Sequence, residues 1–116
     1  MYAGSDTVDK VAWYSGNNSP TGTKPVGTLA PNDLGLYDMS GNVWEWCWDW
    51  YGPYTNGPET DPTGPASPPT PANRVVRGGG YQQSEAEVRS VSRGGTLPPS
   101  FNTGSDVGFR VVRPLQ

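Results

Sequence analysis

The chain has 116 residues, room for one domain and too little for two ordinary ones. Its net charge of −3, with eight Lys and Arg against eleven Asp and Glu, excludes nucleic acid or an anionic membrane as the main partner, because phosphate binding needs clustered basic side chains. Sixteen Gly and thirteen Pro approach the level of low-complexity disorder, but five Trp, six Tyr and two Phe supply large apolar areas that a disordered segment has no use for, so a folded, loop-rich domain is predicted.

The N-terminal MYAGSDTVDK has no basic segment followed by an apolar run, and no stretch of the chain nears the ~20 apolar residues of a membrane span. Residues 8–15, VDKVAWYS, set Val8, Val11 and Ala12 at helical spacing beside Trp13, which suits one or two helical turns or a short strand. The turn formers of NNSPTGTKP, residues 17–25, predict a loop, and irregular packed backbone follows through Leu34, Leu36, Tyr37 and Met39. Residues 43–51, VWEWCWDWY, alternate strictly, with Trp44, Trp46, Trp48 and Trp50 on one face and Glu45, Cys47 and Asp49 on the other. Period two predicts a strand, and four Trp on one face predict a wall covered by other chain.

The Pro-rich stretch 52–73 is too poor in apolar residues for a core of its own and is expected to wrap the surface as a long loop. RVVRGGGY, residues 74–81, reads as a strand running into a glycine turn; its two Arg alternate with apolar residues and form no basic patch. Residues 82–87 are predicted as a helical turn, 88–93 (VRSVSR) as a strand, 94–106 as a second long loop and 107–114 as a closing strand. The coarse plan is short antiparallel strands joined by long loops.

In this order and at these separations, GLYDMSGNVWEWCWDWY, RVVRGGGY, VRSVSR and DVGFRVVRP resemble the second half of the domain shared by formylglycine-generating enzymes, their sulfatase-modifying relatives and the variable proteins of diversity-generating retroelements. The resemblance implies a single domain over residues 1–116, α+β in class, with a C-type lectin-like fold, long ordered loops and little helix. It also implies that the family's usual N-terminal segment lies outside this sequence. A missing strand would leave a sheet edge unpaired, so homo-oligomer formation is expected. Any cell-surface or virion location would come through that missing segment.

The enzymes of this family act through two cysteines placed just after the Gly-Gly strand. Here those positions fall near Gln83 and Val88, and neither a carboxamide nor a branched alkyl group forms a thiolate or a copper site. The single thiol, Cys47, reads as an inert residue of the aromatic strand, and the chain has no histidine for the triad of the family's iron enzymes. Lys10 and Lys24 are the only lysines and sit in loops, so a serine nucleophile lacks a base. Catalysis is therefore not expected, and no cofactor is required.

The family's variable proteins place their recognition residues between the Gly-Gly and Gly-Phe-Arg strands, which corresponds here to residues 80–106. The candidate contacts with a protein or small ligand are Tyr81, Gln82, Gln83, Ser84, Ser92, Thr96, Leu97, Phe101, Asn102 and Thr103, a mixture of aromatic and adaptable polar groups. An ordinary solvated loop is the other reading of the same composition. The resemblance further implies a structural calcium held by Asn42, the Val43 carbonyl and Glu45, ligands that suit a hard cation. The alternative is that Asn42 shapes the turn while Glu45 pairs with an arginine such as Arg77 or Arg110. A non-catalytic binding module is the leading expectation, beside a structural or assembly subunit and an inactive or partner-dependent relative of the enzyme.

Overall fold

A computed structural model describes residues 1–96 and 106–113; Leu97, Phe101, Asn102 and Thr103 of the candidate contacts lie outside the described residues. The chain starts with a 3-10 turn, Val8–Lys10, that feeds a two-residue strand β1, Ala12–Trp13. Both readings of this stretch hold in part: the helical spacing covers one short turn, after which the backbone extends. Val8, Val11 and Ala12 face inward and form a core with Tyr2 and the distant Val88, against which Tyr14 packs.

β1 pairs in parallel with β2, Ser40–Gly41, through Ala12 opposite Ser40 and Trp13 opposite Gly41. A β-carbon on Gly41 would stand 2.3 Å from the Trp13 carbonyl oxygen, and its φ is +74°, so this close crossing needs glycine.

The main sheet has four strands in the order β5-β4-β3-β6, with β3 Trp44–Trp50, β4 Arg74–Arg77, β5 Gly94–Thr96 and β6 Val107–Phe109. β3/β4 and β4/β5 are antiparallel, whereas β6 runs parallel to β3, with Trp44 opposite Val107 and Trp46 opposite Phe109. The α+β lectin-like reading stands, with almost no helix, but the sheet is mixed rather than wholly antiparallel.

The alternation of residues 43–51 does form a strand, yet its aromatic face is not a uniformly covered wall. Trp46 pairs with Val76 and Trp50 with Arg74, so three β3 residues span what one β4 residue spans. This bulge takes Cys47–Asp49 out of the ladder. Trp44, Trp46 and Trp50 are half-buried, but Trp48 is 81% exposed. Its cover is the Arg74 guanidinium, which lies 4.9 Å from the Trp48 ring centroid and 3.4 Å from that of Trp50 and donates to the Trp48 carbonyl.

Residues 88–93 are a second correction. They turn rather than extend, and the strand is Gly94–Thr96, inside the stretch predicted as loop. The alternation misleads because the backbone closes local turns here, with the Val88 amide donating to the Ser84 carbonyl at 3.3 Å and the Ser92 amide to the Arg89 carbonyl at 2.9 Å. Glycine suits β5 instead: a β-carbon on Gly95 would meet the Tyr51 ring at 2.5 Å and one on Gly94 would meet Val76 Cγ2 at 3.0 Å. The closing strand is also shorter than predicted, ending at Phe109.

The Pro-rich stretch behaves as expected. It has no regular structure, is almost wholly exposed, and folds back so that Pro65 packs on Gly52 and Gly64 lies beside Trp50.

Candidate functional site

β4 ends in Gly78 and Gly79, both in the left-handed region at φ +87° and +77°. A β-carbon on Gly79 would stand 2.7 Å from Val88 Cγ1, so glycine lets the strand end rest directly on a fully buried Val88. The chain leaving this contact is bonded on both sides. The Tyr81 amide donates to the Asn42 carbonyl at 2.9 Å, and the Ser15 amide donates to the Gln83 carbonyl at 3.0 Å.

Residues 84–88 then make the predicted helical turn, with the Glu87 amide donating to the Ser84 carbonyl at 3.0 Å. In return Glu87 Oε2 accepts from the Ser84 amide at 3.0 Å and from its hydroxyl at 2.8 Å, the carboxylate half of a capping box, with the Glu87 amide bonded to the Ser84 carbonyl instead of its hydroxyl. These two bonds hold the Glu87 carboxyl below the usual glutamate range, since they favour its charged form. The turn delivers Val88 to the core.

Over Gly80 three side chains converge. A β-carbon there would lie 3.1 Å from Gln83 Oε1, 3.2 Å from Trp44 Cδ1 and 3.4 Å from Asp106 Oδ2. Gln83 Oε1 is buried and accepts no hydrogen bond from the described residues. A buried acceptor without a donor costs ~1–3 kcal/mol, a cost that an N–H or O–H group able to reach it would relieve. The Trp44 edge supplies the apolar side of the same spot.

The candidate contacts distribute unevenly. Gln82, Gln83 and Ser84 lie together beside Gly80, with Gln82 exposed and its amide donating to the Tyr81 hydroxyl at 3.1 Å. Tyr81 itself is only 7% exposed, so it braces this surface where the sequence suggested an aromatic contact. Ser84 and Ser92 spend their hydroxyls internally, on Glu87 and on the Ala86 carbonyl at 2.9 Å. Thr96 pairs with Arg74 at the opposite end of β4, about 10 Å along the strand from the Arg77 end. Trp44 and Asp106 are the residues that sequence reasoning missed. Their meeting follows from the parallel β3/β6 pairing, in which the Trp44 amide donates to the Asp106 carbonyl at 2.7 Å.

The turn at Asn42 is saturated by the protein. Asn42 sits at φ +67°; its Oδ1 accepts from the Lys24 amide at 2.9 Å, and its Nδ2 donates to the Lys24 carbonyl at 3.1 Å. Glu45 accepts from Arg110 Nε at 2.7 and 2.9 Å, and Arg110 also donates to the Asp38 carbonyl at 2.8 Å. A calcium ion on Asn42, the Val43 carbonyl and Glu45 would have to displace Lys24 and Arg110, so this donor set as arranged does not fit the ion. No group of three or more His, Cys, Asp and Glu stands together among the described residues. Beside the pair, Val26, Leu36, Tyr37 and Val43 line an open cleft of about 460 Å³ whose polar floor includes Glu45 and Arg110.

Cys47 is half-buried on β3, and burial pushes its thiol up, an effect that Arg77 only partly opposes. A protonated thiol is a poor nucleophile and metal ligand. No described helix is long and apolar enough to cross a membrane.

Residues 1–115 match the family described as "Sulfatase-modifying factor enzyme 1-like domain". The chain is 38% identical to a protein named chaperone protein LppX from Paenibacillus barcinonensis, over 97% of this chain and 41% of that one. It is 41% identical to the formylglycine-generating enzyme of Streptomyces coelicolor, over 76% of this chain and 28% of the enzyme. Among solved structures, Treponema denticola variable protein 1 superposes with a TM-score of 0.79 at 38% identity, covering 91% of this chain and 38% of that one. The chain thus spans less than half the length of each of these relatives.

Proposed function

The chain belongs to the sulfatase-modifying factor enzyme 1-like family, and on that premise we propose that it is a non-catalytic binding module, whose contact surface lies around Gly80 between β4 and β6. One observation carries the reading: near the two positions the family resemblance assigns to the enzymes' thiols, Gln83 lies against Gly80 with an acceptor that has no partner among the described residues, and Val88 is sealed in the core. The first is chemistry for recognition, and the second is packing. The similarity to a variable protein supports the same reading, as does the rigid support from Asn42, Ser15 and the Ser84–Glu87 cap.

Gln82, Gln83, Asp106 and the Trp44 edge would supply the described part of the contact, with Asp106 and Gln83 oriented to accept hydrogen bonds. The ligand class that fits is one that presents a donor group next to an apolar patch, on a protein or a small molecule. The outlying Thr96 is not needed for that contact.

The test uses labelled chain on protein and glycan arrays, comparing the native sequence with a Gln82→Ala/Gln83→Ala variant. Native-specific capture that the variant loses is the expected result; equal capture by both would remove the surface from the account. A parallel assay mixes copper-supplemented chain with a cysteine-containing peptide and follows aldehyde formation by mass spectrometry. No conversion is expected, and conversion would restore the reading as a relative of the enzyme with its own activity.

A further inference from the structure

Among the described asparagines, Asn56 alone is followed by glycine. The others are held or hindered. The side-chain amides of Asn17, Asn18, Asn32 and Asn42 are tied to backbone groups of Ala12, Gly22, Leu36 and Lys24, and Asn73 precedes Arg74 at the start of β4. Asn56 and Gly57 instead form an exposed bend in the Pro-rich loop, spanned by the Thr55 hydroxyl, which donates to the Glu59 carboxylate. Neither the Asn56 side-chain amide nor the Gly57 N–H has a hydrogen bond among the described residues. A β-carbon on Gly57 would meet nothing within 4 Å, so the space around its amide nitrogen is open. Asparagine is thermally labile, and the glycine after it leaves the neighbouring amide nitrogen unshielded.

We propose that Asn56–Gly57 is a self-modifying site, at which the folded chain converts Asn56 to isoaspartate and aspartate with water as the only co-reactant. The Gly57 amide nitrogen attacks Asn56 Cγ. The new C–N bond closes a five-membered imide ring as the Cγ–Nδ2 bond breaks, and ammonia leaves with the proton that the Gly57 amide gives up. Water then opens the ring at either carbonyl. Parting the nitrogen from Cγ leaves an ordinary aspartate, whereas parting it from the main-chain carbonyl carbon of Asn56 leaves isoaspartate, with the chain now running through the former side chain. No electrons are transferred. Each event replaces a neutral amide with a carboxylate on a loop that already carries Glu59 and Asp61, so the loop grows more acidic with age. This modification goes beyond the binding reading and stands without it.

The native chain, kept at neutral and at mildly alkaline pH in water enriched in heavy oxygen, is followed by peptide mapping with electron-transfer fragmentation. Asn56 should be lost first, faster as pH rises, into isoaspartate and aspartate that both carry the heavy oxygen. Its rate should be close to that of chain unfolded in urea, whereas Asn42 should stay intact while the chain is folded. Gly57→Ala, checked for folding by circular dichroism, should bring the loss at Asn56 down to the level of the other asparagines. Asn56→Gln, which keeps Gly57, should yield no comparable acid, because the ring it needs is one atom larger and closes more slowly. Survival of Asn56 for as long as Asn17 and Asn32 overturns the proposal, and so does a loss that Gly57→Ala leaves unchanged. Loss in urea alone overturns it as a property of the folded chain.

Discussion

The two halves of β3 share one sequence pattern and do different work. Glu45 and Trp46 are laddered on both sides, to β4 and to β6, and Trp44, paired with β6, reaches Gly80 and the candidate contact surface. Beyond the bulge, Cys47–Asp49 leave the β4 ladder, and Trp48 stands in solvent under Arg74. Alternating tryptophans therefore define a strand without defining what covers it: cover depends on how long the neighbouring strands are. β4 and β6 are four and three residues long against seven in β3.

The largest expected break in this contrast is at the laddered end. Gly79→Val puts a branched side chain into a left-handed conformation and onto Val88, and should cost at least ~3 kcal/mol, visible as a melting temperature lower by more than ~10 °C. Comparing Trp44→Ala with Trp48→Ala by urea denaturation sharpens it. The first removes a half-buried side chain and should cost about 2 kcal/mol, while the second should stay within ~0.5 kcal/mol. Similar losses for the two would mean that the bulge does not divide the strand.

Arg110→Gln leaves Glu45 without its partner at the laddered end, and a cost of about 1 kcal/mol that shrinks in high salt is expected from chemical denaturation. Calcium should leave the melting temperature of the native chain unchanged, because Arg110 and Lys24 already hold the donor atoms. The smallest effect concerns pH. Glu87 titrates lower folded than unfolded, so the stability it contributes is present above its unfolded pKa and is lost as pH falls through the folded value. Glu87→Gln should flatten stability across that acid window and leave the neutral range without pH dependence from this group.

Much of the frame was legible in the residues. The alternation of 43–51, the glycine break after Arg77 and the turn formers of 17–25 and 52–73 are local signals, and each marks what the chain does there. The choice of Arg110 over Arg77 as the partner of Glu45 was not local; both were open, and the parallel β6 register decides it. Val88–Arg93 misled because alternation over six residues does not reveal that the amides of Val88 and Ser92 bond back into local turns at Ser84 and Arg89. The Asn42–Lys24 pairing and the meeting of Trp44, Gln83 and Asp106 over Gly80 join residues far apart in the chain, and no spacing rule reaches that far. Tyr81 was read as a contact because aromatic residues near loops often are, but its place beneath Gln82 makes it support.

The proposed reading puts recognition on the Gly80 surface and not on the exposed tryptophan, which is the more obvious aromatic contact among the described residues. The direct measurement is the dissociation constant, by calorimetry, of a ligand captured on the arrays, for the native chain, Gln82→Ala/Gln83→Ala and Trp48→Ala. A weakening of tenfold or more in the first variant with little change in the second is the predicted result. Loss of binding on removing Trp48, with the glutamines indifferent, would contradict it.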